Sequence, residues 1–131
     1  MKRVTVLLPA FNEAASMPLL RSKMERLAEE NHSVEWEFLI VDDGSSDATA
    51  ELAKQYHDED PRFSYVSLSR NFGKEAAMLA GMDYATGHAV IIMDSDMQHP
   101  TDVVPQMLDL WQQGWQDVYA VRASSLSLIH I

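Results

Sequence analysis

A chain of 131 residues, 47% of them hydrophobic, can bury one core and is too short for several domains. Its 20 acidic and 10 basic side chains leave a formal net charge of −10, which excludes the basic footprint of a nucleic-acid-binding surface. Without cysteine there are no disulfides or thiolate metal sites, and the longest apolar runs, about five residues, fall far below the ~20 that span a bilayer.

In chain order, Val4–Leu8 reads as a buried strand running into Pro9-Ala10-Phe11-Asn12-Glu13. Leu20, Met24 and Leu27, at i, i+4 and i+7, form one face of a first helix. A second buried strand, Glu37–Val41, runs into Asp42-Asp43-Gly44-Ser45-Ser46-Asp47, and Leu52 and Tyr56 mark a second helix. Phe63–Leu68 precedes Ser69-Arg70-Asn71-Phe72-Gly73-Lys74, and Ala76, Ala77, Ala80 and Tyr84 mark a third helix. Ala89–Met93 runs into Asp94-Ser95-Asp96-Met97-Gln98-His99. Val104, Met107, Leu108 and Trp111 then give a fourth helix, with Thr101 as N-cap and Asp102 in its first turn. Asp117–Val121 is a fifth strand. Residues 1–123 thus read as one domain. The tail 124–131, SSLSLIHI, fits neither the helix nor the turn pattern and reads equally as an edge strand or as a foreign, frame-shifted end.

Alternation of this kind specifies a mainly parallel α/β sheet with helices on both faces. In such sheets ligands bind beyond the carboxyl ends of the strands. Each of the polar clusters lies at a carboxyl end, whereas the amino-end connections 31–36, 57–62 and 86–88 are ordinary polar loops. That segregation points to a ligand site.

Asp94 and Asp96 stand at i and i+2, so at a strand end both carboxylates reach one point. Two like charges that close call for a cation, and oxygen donors suit a hard divalent one such as Mg²⁺ or Mn²⁺. Taken singly, Asp42–Asp47 is also good turn chemistry and Asn12-Glu13 a helix entrance. Arg70 and Lys74 are unusual cations in an acidic chain, and both suit phosphate. His99 stands beside Pro100, while His32, His57, His88 and His130 are scattered, which argues against a histidine metal cluster. Trp36, Trp111, Trp115 and the eight methionines read as packing residues.

PAFNE, VDDGSSD, SRNFGKEAA and MDSDMQHP, in that order, resemble the family 2 glycosyltransferases of GT-A fold, a Rossmann-like architecture. The likeness is greatest to the polyprenyl-phosphate branch, the bactoprenol glucosyltransferase and dolichol-phosphate mannose synthase type. It runs from about Val4 to about Arg122. It implies that Pro9, Ala10, Asn12 and Glu13 line a nucleotide pocket and that Asp42 contacts the base or ribose, with Asp43 nearby. Asn71 and Lys74 would close on the donor, with Ser95 also on the donor side. Asp94 and Asp96 would hold Mg²⁺ or Mn²⁺ against the diphosphate, Gln98 would be the third protein ligand, and Arg122 would contact phosphate.

The implied reaction is inverting, metal-dependent transfer of a sugar from a nucleotide-diphosphate sugar, a UDP-sugar in preference to a GDP-sugar, to a polyprenyl phosphate of the cell envelope. Members of the family continue beyond Arg122 with an acceptor-binding half and membrane segments. The chain therefore reads as a soluble N-terminal donor-binding portion, its whole protein placed at the cytoplasmic face of the membrane. The alternative is a module that binds nucleotide and metal without turnover. A nucleotidyltransferase would need a Gly-rich, basic loop after the first strand, and PAFNE has neither glycine nor cation. A phosphoacceptor signalling domain would place its Asp pair after the first strand, not the second.

Overall fold

The computed structural model describes residues 2–93, 100–114, 117–121 and 126–130. Strands β1 (Arg3–Ala10), β2 (Glu35–Asp42), β3 (Phe63–Ser67) and β4 (Ala89–Ile92) alternate with helices α1 (Met17–Glu30), α2 (Thr49–Glu59) and α3 (Lys74–Tyr84). Helix α4 (Pro100–Gln112) and strands β5 (Asp117–Val121) and β6 (Leu126–His130) follow. The six strands form one sheet in the order β3-β2-β1-β4-β6-β5. The pairs among β3, β2, β1 and β4 are parallel, and β6 pairs antiparallel with both β4 and β5. This is the α/β, mainly parallel sheet that the alternation of elements specifies.

The central strands are apolar on both sides because both sides are covered. Val4, Val6, Leu8, Phe38, Ile40 and Ile91 face a large core, to which α1 brings Met17, Leu20, Met24 and Leu27, α2 brings Ala53 and Tyr56, and α4 brings Val104, Met107, Leu108 and Trp111. Leu7, Leu39, Val41 and Val90 face a smaller core on the other side, which α3 closes with Ala77. Helix α3 lies close to the sheet because Gly81 has no side chain. A Cβ there would meet Leu7 Cδ1 at 2.6 Å and Val41 Cγ2 at 2.8 Å.

Four sequence expectations shift. Tyr84 is exposed, because the buried stripe of α3 runs through the small residues Ala77 and Gly81. In α2, Ala53 rather than Leu52 joins Tyr56 in the core, and Leu52 is only partly buried. Helix α4 opens at Pro100, ahead of Thr101, since a missing N–H costs nothing in a first turn. Residues 126–130 of the tail form β6, which lies between β4 and β5, so that β5 and not the tail is the sheet edge. An antiparallel partner close in sequence lets Leu126–His130 pair with β5 and still reach β4.

The amino edge of the sheet is better built than its loops suggest. Glu37, buried in β2, accepts hydrogen bonds from the Thr5 hydroxyl (2.7 Å), the Thr86 N–H (3.0 Å) and the Thr86 hydroxyl (3.0 Å). Gly87 N–H donates to Thr5 Oγ1 (2.9 Å), so one carboxylate ties the α3–β4 connection to β1 and β2. Glu37→Ala, which orphans these donors, is expected to cost about 1–3 kcal/mol. Urea unfolding checks it: the midpoint falls with an unchanged slope.

A candidate active site at the carboxyl edge

The crevice of an open parallel sheet lies where the strand order reverses. Here that point is between β1 and β4, because β2 and β3 extend to one side of β1 and β4 lies on the other. The sequence sets where the β1–β4 ladder ends. Met93 N–H donates to Leu7 O (3.0 Å), and by alternation the next β1 donor toward β4 belongs to residue 9. That residue is Pro9, which has no N–H, so β1 offers no donor toward β4 that could extend the ladder past Met93. On its other side β1 stays paired with β2 through Ala10↔Asp42, and Asp43 N–H continues the ladder to Ala10 O (2.9 Å).

The loops after β1 and β2 are locked together through Asn12. This residue has a positive φ of 52°, a conformation that asparagine tolerates better than most side chains. Its N–H donates to Ser45 Oγ (2.9 Å), and its Oδ1 accepts from Ser46 N–H (2.9 Å), more weakly from the Ser46 hydroxyl and from Asp47 N–H. Glu13 N–H donates to Thr49 Oγ1 (2.9 Å) and Ala14 N–H to Asp47 Oδ2 (3.1 Å). Glu13 O accepts from Ser16 and Met17 N–H, and its carboxylate accepts from the Ser16 hydroxyl, which starts α1.

The acidic pair after β2 is buried. Asp42 is 2% exposed, and its two oxygens accept from Ser45 N–H (3.1 Å) and from the hydroxyl of Ser67, its register partner on β3 (2.9 Å). Asp43, 4% exposed, reaches the loop after β3, where Phe72 N–H (2.9 Å) and Gly73 N–H (3.1 Å) each donate to one oxygen. Gly44, at φ 68°, lets the Arg70–Asn71 backbone pass directly against its α-carbon. Asp43 and Gly44 thus fix the third loop to the second. A carboxylate offers about four lone-pair directions, so Asp42 keeps acceptor capacity beyond these two bonds.

Of the residues singled out in the sequence, Pro9 and Ala10 end β1, Asn12 and Glu13 follow it, and Asp42 ends β2 with Asp43 next. Asn71 lies in the third loop and Lys74 opens α3. All are at one edge, three loops brought together by hydrogen bonds across the chain. Asp94, Ser95, Asp96, Gln98, His99 and Arg122 lie outside the described residues. Sequence reading missed Thr49 and Ser67 as partners of these loops. It also missed that Phe11 (43%) and Phe72 (48%) stand exposed there. Only the glycine in DDGSSD signalled the close passage at Gly44.

Several carboxyls are held below the usual range: Asp47 mainly by the Thr49 hydroxyl, Glu59 by the Arg21 guanidinium and Asp60 by the Arg62 guanidinium. A carboxylate depressed on folding stabilises above its unfolded value and loses that contribution as pH falls through the folded one. The ordinary aspartate value is 3.8. Stability is therefore expected to be flat above about pH 5 and to decline below about pH 4, with Asp60→Asn shallowing the acid limb of a urea-midpoint series.

The family model for glycosyl transferase family 2 matches residues 5–125. The chain belongs to that family. A prophage bactoprenol glucosyl transferase homolog of Escherichia coli K12 is 40% identical over 121 residues, 92% of this chain and 39% of that protein. Among solved structures, a mannosyltransferase from Pyrobaculum calidifontis in complex with GDP-Man and Mn²⁺ superposes with a TM-score of 0.63 at 27% identity, covering 72% of this chain and 28% of that one. Glucosyl-3-phosphoglycerate synthase from Mycobacterium tuberculosis has the same fold, with a TM-score of 0.70 at 24% identity over 94% of this chain and 45% of that one. The family 2 chain described here thus has the GT-A, Rossmann-like fold and spans 36–39% of the length of the curated relatives it matches.

Proposed function

We propose that this chain binds a nucleotide-diphosphate sugar and divalent metal for transfer of the sugar to a polyprenyl phosphate, a UDP-sugar being the donor. The carrying observation is the joining of three motif-bearing loops at the carboxyl edge, beside the point between β1 and β4 where the strand order reverses. The bactoprenol name of the 40% identical relative supports the acceptor, and the GDP-Man and Mn²⁺ of the 27% identical mannosyltransferase support donor and metal.

In the reaction, a phosphate oxygen of the acceptor forms a bond to the anomeric carbon as the bond from that carbon to the diphosphate breaks. Attack from the opposite face inverts the centre. The acceptor phosphate is already anionic and needs little help from a general base. Asp94, Asp96 and Gln98 offer only oxygen donors, which fit Mg²⁺ or Mn²⁺, and the bound ion would neutralise charge on the departing diphosphate. Asp42 offers its remaining lone pairs to the base or ribose. Pro9, Ala10, Asn12 and Glu13 wall the nucleotide, with Asn71, Lys74 and Ser95 on the donor and Arg122 on phosphate. Asp43 acts through the backbone it holds. The whole protein would work at the cytoplasmic face of a membrane. Among the described residues no helix is long and apolar enough to cross one.

Binding and turnover are tested separately. Asp96→Asn is expected to weaken metal-dependent UDP binding by roughly 100-fold while leaving the unfolding midpoint unchanged. Mn²⁺ electron paramagnetic resonance reads the metal directly, and wild-type affinity in the variant would remove Asp96 from the metal site. Transfer is read with UDP-glucose and undecaprenyl phosphate in detergent. Donor binding without product would identify a binding module.

A further inference from the structure

The described arginines divide sharply. Arg3 pairs with Glu35, Arg21 with Glu25 and Glu59, Arg26 with Glu30 and Arg62 with Asp60. Arg70 pairs with no carboxylate among the described residues, although acidic side chains outnumber basic ones 20 to 10 in this chain. Its guanidinium instead lies 4.6 Å from the centroid of the Phe72 ring. Stacking of this kind uses the flat face of a guanidinium and leaves its in-plane N–H donors, the ones that fork onto phosphate, available.

The backbone beneath the pair is fixed, while the side chains stand exposed among the described residues. Gly44 packs against Arg70 and Asn71, and Asp43 holds the N–H groups of Phe72 and Gly73. Both Arg70 and Phe72 are exposed, and Phe72 is 48% exposed in a chain that buries all its other described phenylalanines except Phe11. Phe11 is exposed at the same edge of the sheet. A fixed cation with an uncovered ring beside it matches a ligand that carries phosphate and hydrocarbon together. A nucleobase can also stack on a phenylalanine ring, so the UDP arm of the test below is what separates a lipid phosphate from a nucleotide.

We propose that Arg70 and Phe72 form a binding site for an isoprenoid phosphate, Arg70 taking the phosphate and Phe72 the adjoining hydrocarbon. The proposal rests on the transfer to a lipid phosphate put forward above and assigns residues for that acceptor.

The test is calorimetric titration of the 131-residue chain with farnesyl phosphate below its micellar concentration, and separately with inorganic phosphate, farnesol and UDP plus Mn²⁺. Arg70→Gln and Phe72→Ala, each checked for an unchanged urea midpoint, are expected to weaken farnesyl phosphate binding by roughly 10-fold. Inorganic phosphate and farnesol should each bind at least about 10-fold more weakly than farnesyl phosphate, and UDP affinity should stay within about twofold in both variants. The proposal is overturned by no farnesyl phosphate binding, by binding indifferent to Arg70→Gln, or by inorganic phosphate binding as tightly. An equal loss of UDP affinity in Arg70→Gln would also overturn it, placing Arg70 on the donor. Farnesyl phosphate bound through Arg70 with no UDP binding by the wild type would instead strike the donor reading and uphold the site.

Discussion

Gly44→Ala is expected to destabilise the chain by about 2–4 kcal/mol and to weaken nucleotide binding by at least about 10-fold. Its φ of 68° alone costs a side-chain-bearing residue about 1–2 kcal/mol. Sterics add to this. A Cβ would stand 2.5 Å from the Asn71 nitrogen and closer still to the Arg70 carbonyl carbon. Those atoms are backbone and cannot swing aside as a side-chain tip would, so the loop after β3 must move off the loop after β2. That displacement carries Asn71 and Lys74 with it. Urea unfolding and UDP titration of the variant together check the expectation, and a change in stability below about 0.5 kcal/mol would show that the two loops are not held by this contact.

Asp43→Ala removes the same junction by another route. The Phe72 and Gly73 N–H groups lose their acceptor at 2.9 and 3.1 Å, from a carboxylate only 4% exposed. Both bonds are part-buried and go to a charged acceptor, and bonds of that kind are worth about 1.5–3 kcal/mol each. The expected loss is about 2–4 kcal/mol, with Asp43→Asn intermediate because one oxygen can still accept. Amide hydrogen exchange gives the local reading: Phe72 and Gly73 should lose protection while the β1–β2 ladder keeps its own. Unchanged protection at both amides would contradict the assignment of Asp43 as the tether.

The sheet was legible because its strands are buried on both faces, so Val4–Leu8, Glu37–Val41 and Ala89–Met93 stand out as apolar runs. The gathering of PAFNE, VDDGSSD and SRNFGK at one edge followed from the alternation of elements alone. What each side chain does there was not legible. Asn12 and Asp43 look like ligand-facing residues in a list, yet they bond to loops some thirty positions away in the chain. Partners so distant leave no periodic trace. The tether at Glu37 was hidden for a similar reason, since nothing local marks a glutamate in an apolar strand as the acceptor for Thr5 and Thr86. Tyr84 misled because aromatic content suggests a core, whereas the approach of α3 to Leu7 and Val41 leaves room only for Ala77 and Gly81. The tail stayed open between an edge strand and a foreign end because SSLSLIHI carries no turn signal, and the strand character of residues 126–130 comes from pairing with β4 and β5.

Calorimetric titration of UDP and of GDP into the 131-residue chain, first with Mn²⁺ and then with EDTA, tests the central claim most directly. The expected result is UDP binding that depends on Mn²⁺ and disappears in EDTA, with GDP at least about 10-fold weaker, a difference of about 1.4 kcal/mol. A folded chain that binds neither nucleotide, or binds UDP equally well in EDTA, would contradict a metal-dependent donor site at the carboxyl edge.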